Sequence, residues 1–436
     1  MRLKVLVQKI ILFYTQNYWL LLLFCFYSIY ILINSQSVPI GDEPRYLRHA
    51  SYMLNGAYTN AEDPEFLSGP GYPVLILPFV ALKVSLHFIH MINAFLLVGA
   101  VTYFFLTLKQ YVAQNIAVIF SLIFGLYPFN LPWLTYAYTE TLALFLVCAF
   151  IYHFCLAVSQ QKILGRNQFV AMFMLGWLIL TKVVFFYVVV VVVVVALFVG
   201  SFHQKRKAFI TSLIGAGSFL LCIPYLAHTY QLTGVMMYWS TGGGQHLYFH
   251  AAPFENEFGN WYSDKKIWSP RSESSNNYFG LEDLSKNHLD FYKTLPYRSE
   301  DSATVTFERD TLFRAKAKEY LRESPQAFFR NTIASFNRFF FNFPRSYVRE
   351  NLGTIKYVWV NMFIVVLTVL FIYPAFIGRK LIPYELWVLI LMVLTFLGCV
   401  SLLSAWTRHL LPVIPVFLLF IAFIFDRVLE IRILKS

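Results

Sequence analysis

The chain is poor in charge. Asp, Glu, Lys and Arg make up 13% of its 436 residues, while 58% are hydrophobic and the mean hydropathy is +0.58. A soluble chain of this length carries about a quarter charged residues, so this one cannot cover a water-facing surface. That excludes a soluble enzyme, a DNA-binding module and a disordered scaffold, and leaves an integral membrane protein. Cysteine is also scarce. Cys25, Cys148, Cys155, Cys222 and Cys399 all fall in apolar runs, so no disulfide framework or zinc-ligand pair is visible. Nucleotide-binding signatures are missing too: Gly242-Gly243-Gly244 is not followed by Lys-Ser/Thr, and no phosphate-loop motif is complete.

What is present is basic and aromatic. The net charge of +12 points first to Lys and Arg in cytoplasmic loops, not to nucleic acid. The first 34 residues run from a basic start into an apolar stretch longer than a signal-peptide core, and read as an uncleaved first span. A spanning helix needs roughly 20 largely apolar residues. Candidates lie near 10–33, 88–108, 115–130, 138–158, 168–181, 184–200, 208–228, 355–378, 383–405 and 409–427. The stretch 71–86, interrupted by Pro73, Pro78 and Lys83, reads as re-entrant or interfacial. The valine run 188–195 calls only for lipid-facing packing. With both termini inside, short cytoplasmic segments carry 14 basic residues (Arg2, Lys4 and Lys9 through Lys205-Arg206-Lys207 to Arg432 and Lys435) against Asp426, Glu430 and Glu385. The long loop 229–353 nearly cancels, with 15 basic and 14 acidic residues. The expected architecture is all-α, with about ten transmembrane helices and juxtamembrane helices in the outer loops. It divides into an N-terminal module 1–228 with an active first outer loop near 34–87, the large loop 229–353, and C-terminal helices 354–436.

This layout puts several ionisable residues at one face, where they are functional candidates. Asp42 and Glu43 open the first outer loop, Glu140 begins the span 138–158, Lys182 lies in the turn after 168–181, and Arg408 precedes the last span. Each has a plainer role. Pro44 favours a first helical turn, so Asp42 or Glu43 would cap a helix through Arg45–Leu54, and Glu140 would cap its span. Lys182 and Arg408 would snorkel to headgroups. Two cations together with these acids instead suit a phosphate site. His246 and His250 have metal-ligand spacing if helical, but the triple glycine before them argues for a loop. Aromatics in the long loop, Trp239, Trp261 and Trp268 among them, suit sugar stacking or the interfacial belt equally. Its end, 310–341, patterns as two amphipathic helices broken at Ser324-Pro325.

The order of motifs resembles a known family. Asp42-Glu43-Pro44-Arg45-Tyr46 is followed by Gly71-Tyr72-Pro73, Thr139-Glu140, Leu180-Thr181-Lys182, Ser240-Thr241-Gly242-Gly243-Gly244 and Arg408-His409-Leu410-Leu411-Pro412. This is similar to the membrane glycosyltransferases of the GT-C fold, nearest to the protein mannosyltransferase and aminoarabinose transferase group. The resemblance implies a sugar donor on polyprenyl phosphate and an acceptor reached from the extracytoplasmic face of the plasma (bacterial inner) membrane. It implies Asp42 as catalytic base, with Glu43 orienting substrate or supporting it. It also implies Arg45, Glu140, Lys182, Arg408, Tyr72, Gly243 and His246 as substrate- or phosphate-binding residues. No metal or other cofactor is expected, although Asp42 and Glu43 are hard oxygen ligands. Where aminoarabinose enzymes place Glu-Lys-Pro, this chain has Ser68-Gly69-Pro70, which argues against aminoarabinose and lipid A.

The expected partners are therefore a polyprenyl-phosphate sugar, an envelope glycan, lipid or protein as acceptor, and membrane lipid; nucleic acid is not expected. The competing reading is a transporter or flippase of lipid-linked sugars. It is disfavoured because no internal repeat is found and the cations sit at span ends, not at the midplane.

Overall fold

A computed structural model describes residues 12–61, 64–202, 204–268, 280–296, 306–348, 352–403 and 405–429. The expected cytoplasmic residues Arg2, Lys4, Lys9, Glu430, Arg432 and Lys435 lie outside the described residues. Those described form no strand, only an isolated antiparallel bridge between Glu65 and Thr306. The helices are α1 (Tyr18–Asn34), α2 (Glu43–Leu54), α3 (Gly71–Ala81), α4 (Leu86–Leu108), α5 (Gln114–Gly125), α6 (Thr139–Gln160), α7 (Arg166–Thr181), α8 (Val184–Phe202) and α9 (Lys205–Ser218). They continue with α10 (Ile223–Thr233), α11 (Gly243–Ala251), α12 (Asp264–Trp268), α13 (Leu281–Lys293), α14 (Phe307–Glu323), α15 (Pro325–Phe341), α16 (Leu352–Ile377), α17 (Tyr384–Ser401) and α18 (Ile414–Phe423).

Among the described residues six helical stretches are long and apolar enough to cross a membrane: α4, α6, α9 with α10, most of α16, α17, and Thr407–Leu429 around α18. Helices α1, α3, α5 and α8 are apolar but shorter in their described parts. The expected span 115–130 ends at Gly125. Pro128 follows, disfavouring helical backbone at Tyr127 before it, and the chain turns into a short 3-10 segment, Leu131–Thr135, with Pro132 in its first turn. Helix α3 has 11 residues, roughly 16 Å at the usual rise per residue, well short of a hydrocarbon core about 30 Å thick.

Burial separates the spans. Helix α6 packs between α4 and α7, and 78% of its apolar window is buried inside the protein, against 17% for α16. The first is the hub and the second faces lipid along most of its length. Helix α8 is also peripheral in part, with Val190, Val191 and Val194 outward. β-branched residues cost little there, because the helical backbone has no water to turn to.

Between α10 and α16 lies a lobe with its own core, in which Tyr248, Phe249, Leu284, Tyr292 and Phe313 are fully buried. Its amphipathic pair, α14 and α15, breaks at Ser324, where Pro325 opens the second helix. Two strips of chain tie this lobe to the first loop. Thr241 N–H donates to the Phe66 carbonyl at 3.3 Å, and Phe66 N–H returns to the Thr241 hydroxyl at 3.2 Å.

Candidate active site

Helix α2 begins at the head of the first loop. Asp42 is its N-cap residue, but the carboxylate makes no capping bond. It turns instead to two guanidiniums. Arg45, one turn on, approaches Oδ1 at 3.1 Å, and Arg408 Nη1 donates to Oδ2 at 3.1 Å from 366 positions away in sequence. Capping therefore does not account for Asp42. Burial pushes its carboxyl up, but Arg45 and Arg408, with a smaller contribution from Lys182, more than offset this and hold it below the usual carboxylate range. Asp42 and Arg408 keep 26% and 34% of their side chains exposed, so this edge of the cluster remains accessible.

The turn that aims Asp42 is fixed by Tyr138, whose hydroxyl accepts the Asp42 N–H at 2.8 Å. Gly41 has φ +61, and a Cβ there would sit 1.9 Å from that hydroxyl. Only glycine meets both demands.

Glu43, expected to share the catalytic work, faces the other way and is 1% exposed. Its Oε1 accepts from His90 Nε2 at 2.8 Å and from the Ala137 N–H at 2.7 Å, while Oε2 accepts the Ile40 N–H at 2.8 Å. Neither oxygen faces the opening beside Asp42. This acid locks the loop to α4 and to the strip before α6, and so positions its neighbour. His90 and Tyr138 carry no motif that sequence reasoning would have singled out.

Glu140, in the first turn of α6, meets Lys182 Nζ at 2.9 Å. Lys182 follows the last residue of α7, a helix held against the first loop by the Trp177 indole N–H donating to the Gly71 carbonyl at 2.8 Å. A Cβ on Gly71 would lie 2.3 Å from Thr181 Oγ1, so the glycine of Gly-Tyr-Pro serves close packing beside Lys182. Tyr72 itself is buried against Tyr46, with ring centroids 5.2 Å apart. It shapes the wall behind the site and presents no face to it.

The histidines correct an expectation. Gly243–Ala251 is helical, not a loop, because Gly243 and Gly244 sit in its crowded first turn. A Cβ on Gly244 would come within 2.3 Å of the Asp310 carbonyl oxygen, and one on Gly243 within 2.9 Å of Arg314 Nη2. Asp310 holds that helix start, accepting the Gly244 N–H at 2.6 Å, the Tyr238 hydroxyl at 2.8 Å and Arg314 Nε at 2.7 Å. His250 turns away to the Thr332 hydroxyl at 3.0 Å, so the two histidines do not form a ligand pair. His246 lies within the electrostatic reach of Asp42 and Arg408; burial first, then the Arg408 charge, brings its pKa down to about 4 against the pull of Asp42. It is a neutral imidazole at physiological pH. Among the described residues no group of three or more His, Cys, Asp or Glu side chains converges as a metal site.

One charged cluster thus joins Asp42, Arg45 and Arg408, with Glu140, Lys182 and His246 in electrostatic reach. Two carboxylates stand among three cations once Glu43 is set aside. Such a surplus of fixed positive charge around one accessible carboxylate is suited to an anion that gains charge as a bond breaks.

Comparison with solved structures places the architecture. The apo oligosaccharyltransferase of Archaeoglobus fulgidus superposes with a TM-score of 0.52 at 14% identity, over 97% of this chain and 52% of that one. The chain has the GT-C fold. The same organism's oligosaccharyltransferase AglB, in complex with an inhibitory peptide and a dolichol-phosphate, matches with a TM-score of 0.51 at 12% identity, over 96% and 52%. ArnT from Cupriavidus metallidurans bound to undecaprenyl phosphate gives 0.43 at 11% identity, over 95% and 78%. The chain spans about half the length of the oligosaccharyltransferases it matches. No family model matches the sequence, and no curated protein matches it.

Proposed function

We propose that this chain is a membrane glycosyltransferase that moves a sugar from a polyprenyl-phosphate donor to a hydroxyl of a cell-envelope acceptor at the extracytoplasmic face. The reading rests above all on the bridge from Arg408 to Asp42. It joins the two most family-like segments of the sequence into one accessible cluster at a GT-C helix end.

Asp42 takes the proton of the acceptor hydroxyl as that oxygen attacks the anomeric carbon. The glycosidic C–O bond breaks and its electron pair leaves with the polyprenyl phosphate. Arg408, Arg45 and Lys182 stabilise the added charge on the leaving phosphate. Donor binding also primes the base. A carboxylate flanked by two guanidiniums is a weak base, and an incoming phosphate competes with it for Arg408 and Arg45, so Asp42 gains basicity when the donor is seated. Glu140 keeps Lys182 in place, and Gly243 lets Arg314 pack against the first turn of α11.

The test is turnover. Purified full-length protein in nanodiscs, given a panel of polyprenyl-phosphate sugars and envelope extract as acceptor, should release free polyprenyl phosphate from at least one donor. Binding of a donor with no release from any would favour transport of lipid-linked sugar instead.

A further inference from the structure

Beside the catalytic cluster lies a small pocket of about 110 Å³, lined in part by Trp261, Lys266, Arg345 and Trp406. Among the described residues none lining it is acidic. The Arg345 guanidinium lies over the Trp406 ring at 5.1 Å, and among the described residues no carboxylate pairs with it. A third cation stands next to it. Arg338 is fully buried and, among the described residues, donates to the carbonyls of Ala405, Phe258 and Pro344, at 3.0, 3.1 and 3.2 Å. Its Nη2 has no hydrogen-bond partner. The pocket also holds a buried acceptor without a donor, Asn260 Oδ1. The amide nitrogen of that residue is tied to the Ser346 hydroxyl at 2.8 Å.

The pocket shares walls with the transfer site. Trp406 is two residues before Arg408, and the Trp261 ring lies 6.1 Å from His246, an imidazole that feels the charges of Arg408 and Asp42. Aromatic walls stack on the apolar faces of a pyranose, while the Arg345 guanidinium, with no carboxylate against it among the described residues, calls for an anion. The unsatisfied Asn260 carbonyl calls for a hydroxyl donor.

We propose that this pocket is the acceptor subsite and that it takes an acidic saccharide, one bearing a carboxylate or phosphate group. Arg345 pairs with the acid, Trp261 and Trp406 hold the ring, and Asn260 accepts a sugar hydroxyl. The proposal rests on the glycosyltransferase reading for the word acceptor, but the binding it predicts does not.

The experiment is therefore a binding titration without donor, read by tryptophan fluorescence on the full chain in nanodiscs. The probes are glucose 6-phosphate, methyl β-glucuronide, neutral methyl β-glucoside and inorganic phosphate. Wild type should hold at least one acidic sugar about tenfold or more tighter than the neutral glucoside, the effect of one charge-assisted hydrogen bond. Arg345→Ala should remove that preference, and Arg345→Lys should keep part of it, which guards against a folding defect. Equal affinity for acidic and neutral sugars, no binding of either, or a preference untouched in Arg345→Ala would overturn the proposal. So would inorganic phosphate competing as well as the acidic sugar, which would mark a bare anion site. Polyprenyl-phosphate release measured on the same preparation separates the two ideas. An acidic preference without release keeps the pocket and rejects the transferase, and release without preference does the reverse.

Discussion

The two ends of the helix bundle both carry charge, and they use it differently. At the end where α9, α17 and the last helical stretch meet α4 and α5, acids are engaged by neighbouring helices. Glu385 accepts the Tyr111 hydroxyl at 3.1 Å, with Lys207 3.8 Å away. Asp426 accepts the Ala113 N–H at 3.0 Å, and Arg427 donates to the Tyr111 carbonyl at 2.6 Å. These are clasps between segments distant in sequence. At the other end of the same helices, Asp42 and Glu140 face Arg45, Lys182 and Arg408, and the Asp42–Arg408 pair stays partly open. Charge that closes on backbone holds a fold. Charge left in surplus and accessible awaits a ligand.

The comparison can be broken by substitutions at each end. The harshest effect is expected from Arg408→Ala, which on the proposed mechanism removes a cation from the leaving phosphate. Release of polyprenyl phosphate should fall about 10²–10³-fold, the usual cost of losing one preorganised donor. Arg408→Lys should recover only part, since a single ammonium does not reproduce the guanidinium fork. Next comes Glu43→Ala, which strands the His90 imidazole and two backbone N–H groups. At about 1–3 kcal/mol for each buried group left unmade, its melting temperature should drop well before its donor affinity does, as a thermal-shift series with and without donor would show.

A milder and more diagnostic change is Arg45→Ala. Asp42 is held below the usual carboxylate range, so in the wild type it stays ionised down through mildly acidic pH and the acid limb of the rate lies low. Removing Arg45 leaves burial less opposed and raises the Asp42 pKa, so the acid limb of the pH–rate profile should move to higher pH. An unmoved limb would mean that another group controls it. The smallest effect is predicted at the far end. Asp426→Ala should cost about 1 kcal/mol of stability, the net value of an ordinary hydrogen bond, and leave release per folded molecule unchanged.

Much of this was legible in the sequence where hydropathy or a local break carries the signal. The low charge content marks a membrane protein and the long apolar runs mark its helices, and Ser324-Pro325 marks the seam between α14 and α15. Asp42 and Arg408 stood out because charges at span ends are costly without a reason. What was hidden was partnership. Nothing in the first loop says that Glu43 meets His90, or that Tyr138 receives the Asp42 N–H, because adjacent side chains on a helix start point to different faces. Gly242-Gly243-Gly244 reads as loop by propensity, whereas packing against Asp310 and Arg314 demands glycine in the first turn of a helix. The stretch 115–130 reads as one apolar run, and its prolines decide where the helix ends.

The account stands on Asp42 acting as the base inside a cation cluster that holds the donor. Donor affinity and polyprenyl-phosphate release, measured side by side for wild type and Asp42→Asn in nanodiscs, test that claim most directly. The prediction is a split. The variant should bind donor at least as tightly as wild type, because Arg45 and Arg408 no longer share themselves with a carboxylate, while release falls about 10²–10⁴-fold, the range expected for a lost general base. Release at the wild-type rate, or loss of binding in step with release, would contradict it.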